Sequence, residues 1–281
     1  MVRTLGFLSL FNPLVLRTYW HELVHNIVLI RELTKRNFRD RYVGQIFGRV
    51  WIIFHPLLVV SIYIFLFGFV FHARMESVGT GHLSNFSIYI LSGLIPWLCL
   101  LEVLSRAPTV ITAQASLVKQ VVFPIEVLPT VSVFAALITE SVMMLLFVIY
   151  YFFVVGLPSP MWFLLPVLFL LQYLMLCGFS FGLSAFGVYL RDLKDFVQIF
   201  SSVGVYLAPI VYAPAWVPQM VKPLLFFNPF SHMAWCFQDV FYYGRFEHPQ
   251  AWWVFSAFSL ITFIVGYRFF RRLRPYFGSA L

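Results

Sequence analysis

Residues 50–71 read VWIIFHPLLVVSIYIFLFGFVF, 22 residues without one formal charge. About 20 mainly apolar residues carry a helix across the bilayer core, so this stretch is predicted to be a membrane span. Outward from it the pattern recurs. Residues 86–104 are interrupted only by Glu102, and 127–155 enclose Glu140; 161–190, 196 to about 213, and 251–267 follow. Turn residues and charges punctuate the series: Gly156-Leu157-Pro158-Ser159-Pro160 after the third stretch and Arg191-Asp192-Leu193-Lys194-Asp195 after the fourth. Residues 206–243 differ. They are still largely apolar, but Pro209, Pro214, Pro218, Pro223 and Pro229 interrupt them. No long helix tolerates prolines at that density, and irregular backbone at membrane depth survives only where protein or a wet cavity shelters it. The expected fold is therefore all-α and integral to the membrane: six transmembrane helices, with two short re-entrant helices between spans five and six.

Composition agrees. Of 281 residues, 61% are apolar, 20% aromatic and 11% charged, with a mean hydropathy of +0.88. A soluble domain carries roughly 25% charged residues, so a soluble enzyme is excluded, and disorder with it. The net charge of +8 would suggest nucleic acid for a soluble chain; here the positive-inside bias is the simpler reading and nucleic acid is not an expected partner. Six spans put both termini on one side. That side collects sixteen of the nineteen Lys and Arg, leaving Arg74, Lys222 and Arg245 opposite. Both termini are thus predicted to be cytoplasmic. No cleavable signal peptide is expected, since the first apolar stretch is short and holds Asn12-Pro13. Cys99, Cys177 and Cys236 lie far apart in apolar runs and read as small buried residues.

The leader before the first span is periodic over about 20–38. Trp20, Leu23, Val24, Ile27 and Phe38 fall on one face; His21, Glu22, His25, Asn26, Arg36 and Asp40 fall on the other. That pattern suits an amphipathic helix in the membrane interface, or one packed on a partner protein. It includes His21-Glu22-Leu23-Val24-His25, an HExxH in which two histidines one turn apart bind zinc and the Glu serves as base. No recognisable third-ligand motif accompanies it, so a membrane metallohydrolase is the distant alternative. There is no GxxxxGK[ST] or GxGxxG. His55, His72, His82, His232 and His248 are isolated and read as interface or core residues. Inside the apolar portion, Glu102, Arg106 and Glu140 stand out, because ionisable groups there default to a functional hypothesis. Glu102 and Arg106 are spaced to pair on one helix, which leaves structure and transport both open; Glu140 has no sequence-local partner. The 34 Phe, 14 Tyr and 8 Trp fit lipid-facing and interfacial positions, and equally a conduit whose walls meet sugar rings.

Three stretches then carry a resemblance. The first is Arg31-Glu32-Leu33-Thr34-Lys35-Arg36-Asn37-Phe38-Arg39-Asp40-Arg41-Tyr42-Val43-Gly44, with Gly48-Arg49-Val50-Trp51 and His55-Pro56-Leu57. The second is Ser116-Leu117-Val118-Lys119-Gln120-Val121-Val122-Phe123-Pro124, then Pro129. The third is Tyr189-Leu190-Arg191-Asp192-Leu193-Lys194-Asp195, followed by Pro209-Ile210-Val211-Tyr212 and Asn228-Pro229-Phe230. In this order they resemble the permease subunits of ABC-2-type exporters, specifically the polysaccharide branch (O-antigen, capsule and teichoic acid). HExxH is not part of that pattern.

The resemblance implies a transport subunit that catalyses nothing itself. It implies a homodimer in the bacterial inner membrane, docked on two copies of a separate ATPase that holds ATP and Mg, with membrane lipids around it. No cofactor is expected on this chain. The implied cargo is a glycan on a polyprenyl pyrophosphate, moved outward; a drug or small-lipid permease is the same-fold alternative. Ala113, Gln114, Ser116, Leu117, Lys119 and Gln120 would form the coupling and gate region, and Arg191, Asp192 and Lys194 a second cytosolic contact. Pro214, Pro218, Asn228 and Pro229 would belong to the periplasmic gate. Arg36, Arg39, Arg41 and Arg49 are the pyrophosphate candidates, since guanidinium suits bidentate phosphate binding. The organisation implied is a leader over 1–49, a membrane domain over 50–272 and a cytosolic tail over 273–281.

Overall fold

A computed structural model of the chain describes residues 14–42, 47–70, 86–119 and 123–281. Every regular element among them is helical. The leader forms α1 (Leu14–His25) and α2 (Ile27–Tyr42); the membrane portion follows with α3 (Trp51–Ile64), α4 (Phe86–Arg106), the short α5 (Ala115–Val118) and α6 (Val127–Val154). Then come α7 (Leu165–Tyr189), α8 (Leu193–Leu207), α9 (Lys222–Phe227), α10 (Pro229–Gln238), α11 (Pro249–Leu273) and α12 (Phe277–Ala280). Five helical segments are long and apolar enough to cross a membrane: Trp51–Gly68, Phe86–Thr109, Val127–Val154, Pro160–Tyr189 and Pro249–Ala280. The chain is thus an all-α multi-pass membrane bundle with about five apolar spans.

Several boundaries move for identifiable reasons. The second span runs past Glu102 to Arg106 because both charges have partners there. The last starts at Pro249 and continues into Arg271 and Arg272, where cations suit the carbonyl end of a helix. The fifth predicted stretch is shorter than expected. α8 stops at Leu207, and 15 residues reach only about 22 Å, because Pro209 removes a donor two residues on.

The bundle is pinned where helices carry little side chain. α7 and α11 lie against each other, and a Cβ on Gly178 would collide with the backbone of Thr262, as one on Gly266 would with the Gly178 carbonyl. Small residues are what allow such approach between membrane helices. α4 packs against α6, α7, α8 and α10 and is buried on nearly every side.

After α8 the prolines behave as helix openers. Pro214, Pro223 and Pro229 each occupy the first turn of a short helix, where the missing N–H costs nothing. Of the two short helices between α8 and α11, α10 is buried from Ser231 to Gln238, whereas α9 buries only Leu225. The broken backbone is satisfied by side chains. Tyr89 of α4 donates to the carbonyls of Pro209 (3.1 Å) and Tyr212 (3.3 Å), and Gln238 donates to Pro209 (2.9 Å). Asn228 caps α10 by accepting from the Phe230 N–H (3.0 Å), while its amide donates to the Leu207 carbonyl (2.9 Å).

The leader departs most from expectation. The helix expected over 20–38 is divided at Asn26, although backbone bonds run on through it (Asn26 N–H to Glu22 at 3.0 Å, Ile30 N–H to Asn26 at 2.9 Å); the Asn26 side-chain amide shares the Glu22 carbonyl at 2.9 Å. Of the apolar face expected to lie in the interface or on a partner, Leu23 and Phe38 are buried in the bundle, whereas Trp20, Val24 and Ile27 are exposed. The inward stripe is Tyr19, Leu23, Ile30, Thr34 and Phe38, set by where α11 and α6 lie against α1 and α2. The leader therefore has two apolar faces, one on the bundle and one outward.

Candidate functional site

Where α2 crosses the C-terminal end of α4, four polar side chains meet. Arg41 of α2 reaches Glu102 with Nη1 at 2.6 Å from Oε1, and Arg106 approaches the same oxygen with Nη2 at 3.5 Å. Asn37 Oδ1 accepts from Arg41 Nε at 3.1 Å and from Arg106 Nη1 at 3.4 Å. The Arg41 guanidinium also lies over the Phe38 ring, 5.0 Å from its centre. Glu102 thus takes its shorter contact from the leader, not from Arg106 on its own helix. Spacing along α4 shows only the second bond; the first exists because α2 folds across it.

Beside this cluster opens a groove of about 400 Å³. Arg36, Asn37, Asp40 and Arg41 of α2 form one side of it; Arg106, Thr109, Ala113 and Gln114 form the other. Leu33, Leu128 and Val131 supply an apolar wall. Two groups of predicted residues, the leader arginines and the coupling region, therefore share one concavity. Arg39 is exposed, approaches Asp40 at 3.9 Å and is not among the lining residues. Arg49 lies in the 3-10 turn Gly48–Val50, and its side chain falls outside the described atoms. Ser116 and Leu117 sit on α5, with Lys119 just after it; Gln120 lies outside the described residues. On the exposed rim of α2, Lys35 donates to Glu32 at 2.8 Å, and that hydrogen bond, with the charge behind it, holds the Glu32 carboxyl below its usual range.

Arg191 and Asp192 are exposed in the turn joining α7 to α8, Lys194 is exposed in the first turn of α8, and none of the three lines the groove. They are linked to it through backbone. The turn Ala107–Thr109 that follows α4 packs on α7, so closely that a Cβ on Gly187 would collide with the Pro108 carbonyl. Sequence reading missed this contact, for which Gly187 near the end of an apolar run was the available signal.

The other predicted polar residues fall elsewhere. Glu140 is fully buried and accepts from Gln172 Nε2 at 2.9 Å, which also reaches the Pro96 carbonyl at 3.4 Å. One amide joins α4, α6 and α7, the kind of interhelical bond that fixes membrane bundles. Pro214, Pro218 and Asn228 lie between α8 and α10, and Pro229 is the first residue of α10. A buried acid there escaped notice. Asp239 accepts from the His248 N–H (3.2 Å), His248 Nδ1 (2.9 Å) and Trp252 Nε1 (3.0 Å), tying the end of α10 to the start of α11. A lone Asp in an apolar run was the signal.

Among the described residues the HExxH does not assemble a metal centre. Glu22 turns away from its histidines and accepts from the Tyr267 hydroxyl at 2.6 Å, while His21 and His25 are exposed on the far side. Among the described residues no third His, Cys, Asp or Glu joins them. Nearby, burial pushes the Tyr19 phenol well above its ordinary range. Its hydroxyl stays protonated within bonding distance of Tyr173 (2.6 Å) and Thr130 (3.4 Å), which fastens α1 to α7 and α6.

Comparison with known proteins places this arrangement. A profile described as ABC-2 type transporter matches residues 28–242. The O-antigen export system permease protein RfbA of Klebsiella pneumoniae is 27% identical over 90% of this chain and 95% of its own. The protein of that name from Myxococcus xanthus is 24% identical over the same shares. The polysialic acid transport protein KpsM of Escherichia coli is 21% identical over 87% of this chain and 93% of its own.

Proposed function

The chain belongs to the ABC-2 type transporter family, and from that premise we propose that it is the membrane subunit of an ATP-driven exporter moving a lipid-linked polysaccharide out of the bacterial cytoplasm. What carries the reading is similarity along nearly the whole chain to permeases named for O-antigen export and polysialic acid transport. The groove supports it. Its arginines suit a pyrophosphate head, and its other side is the segment proposed to meet the ATPase.

In this proposal two copies enclose the passage and two separate ATPase subunits, carrying ATP and Mg, drive it. Ala113, Gln114, Ser116, Leu117, Lys119 and Gln120 form the main contact with the motor; Arg191, Asp192 and Lys194 form the second. α8 makes the fifth of six crossings, α9 and α10 are half-inserted from the outer side around Pro214, Pro218, Asn228 and Pro229, and both termini are cytoplasmic. The leader over 1–49 and the tail over 273–281 flank a membrane domain over 50–272. α8 exposes Asp195, Gln198, Ser202 and Tyr206 at helical spacing among Phe196, Ile199 and Val203. A face so mixed is costly against lipid and suits a wet wall that meets sugar rings and hydroxyls.

The test is deletion of the chain, with surface glycan and intracellular lipid-linked glycan both measured. Loss from the surface with accumulation inside is expected, and complementation requires the ATPase partner. Normal surface glycan with altered drug sensitivity would instead identify a drug or small-lipid permease.

A further inference from the structure

Arg41 and Arg106 come from different helices, carry like charge, and converge on one carboxylate oxygen of Glu102 and one amide oxygen of Asn37. Convergence of two guanidiniums on a small set of oxygens is the arrangement that recognises phosphate as readily as carboxylate. The 400 Å³ groove opens beside it, with Arg36, Thr109 and Gln114 lining it and the apolar wall beneath. Glu102 itself is near the cytosolic end of α4 with 18% of its side chain exposed, so it has water to turn to if displaced.

We infer that Glu102 is an internal stand-in for a phosphate, and that a phosphorylated lipid headgroup occupying the groove takes Arg41 and Arg106 over from it. The headgroup phosphate offers more charge and more acceptor oxygens than one carboxylate, and the lipid stem lies along Leu33, Leu128 and Val131. Because α2 lines one side and the segment after α4 the other, the bound head bridges them. Occupancy is thereby felt at Thr109 and Gln114, in the stretch proposed to touch the motor. The inference rests on the permease reading only for the source of the headgroup, either export cargo or bilayer phospholipid.

Binding of farnesyl pyrophosphate to the full chain in phosphatidylcholine nanodiscs tests it. Glu102→Gln removes the competing charge and is expected to tighten Kd about tenfold; Arg106→Gln is expected to weaken it about tenfold. Glu102→Asp, which keeps the charge, is expected to bind as the wild type does. Unchanged or weaker binding by a folded Glu102→Gln variant overturns the stand-in role. Should that variant fail to fold, Arg36→Gln replaces it, and unchanged Kd in both Arg36→Gln and Arg106→Gln overturns the site. Inorganic pyrophosphate binding as tightly as the farnesyl compound overturns the amphiphile assignment. Competition from phosphatidylglycerol nanodiscs assigns the headgroup to the bilayer, and indifference to them assigns it to cargo; both outcomes sustain a phosphorylated lipid. The measurement needs no ATPase and no glycan, so it stands or falls apart from the export assay.

Discussion

α3 and α4 have nearly the same mean hydropathy, 2.1 and 1.9 over their spans, yet they occupy opposite positions. α4 is enclosed on almost every side, and its buried set includes Ser87, Ser92, Gly93, Pro96 and Cys99. α3 buries only Pro56 and Val60 and presents Ile53, Phe54, Leu57, Leu58 and Ile62 outward. Apolarity therefore reports that a helix belongs in the membrane, and small and polar residues report that it belongs among other helices. In lipid, bulky apolar side chains gain little by burial, whereas small residues gain close packing and polar ones gain partners.

That contrast can be broken hardest at the interior. Gly178→Val drives a side chain into the Thr262 backbone and is expected to destabilise by about 4 kcal/mol or more, seen as loss of monodisperse protein in detergent. Glu140→Leu leaves Gln172 without its carboxylate partner and should cost about 1–3 kcal/mol. Glu140→Gln retains a hydrogen-bonding group and should cost less, so thermal melting of the pair separates a bonding role from a charge role. Asn228→Ala removes both the α10 cap and the bond to the Leu207 carbonyl. About 1 kcal/mol is expected, read as faster proteolysis between α8 and α10. Outward, Ile62→Ala on α3 should change the melting of the chain by about 0.5 kcal/mol or less. A fall in the dimer fraction by light scattering, without a change in melting, would show that this face meets a second copy; a large drop in melting would end the contrast with α4.

Much of the architecture was legible because membrane physics writes it locally. Residues 127–155 became a helix within one residue of expectation, since length and apolarity alone decide a span. The proline-rich stretch was correctly read as short helices, though not that Pro214, Pro223 and Pro229 would each start one. The leader showed the limit of periodicity. It marked an amphipathic segment and the face that carries Trp20, Val24 and Ile27, but not the second stripe of Tyr19, Ile30 and Thr34, which only the position of α6 and α11 buries. Of the groove, Arg36 and Arg41 on one side and Ala113 and Gln114 on the other were each singled out separately in the sequence. Asn37, Thr109 and the Arg41–Glu102 pair were not, for their partners lie far along the chain.

By itself the sequence determined that this is a multi-pass helical membrane chain with a basic leader, since hydrophobic length and charge act over a few turns and need no knowledge of neighbours. Only the tertiary structure decided which spans are interior, that Glu22 accepts from Tyr267, and that the leader and the segment after α4 share a groove. Those outcomes depend on which distant helices touch, and contact between helices is fixed by shape and polar pairing that no local pattern encodes.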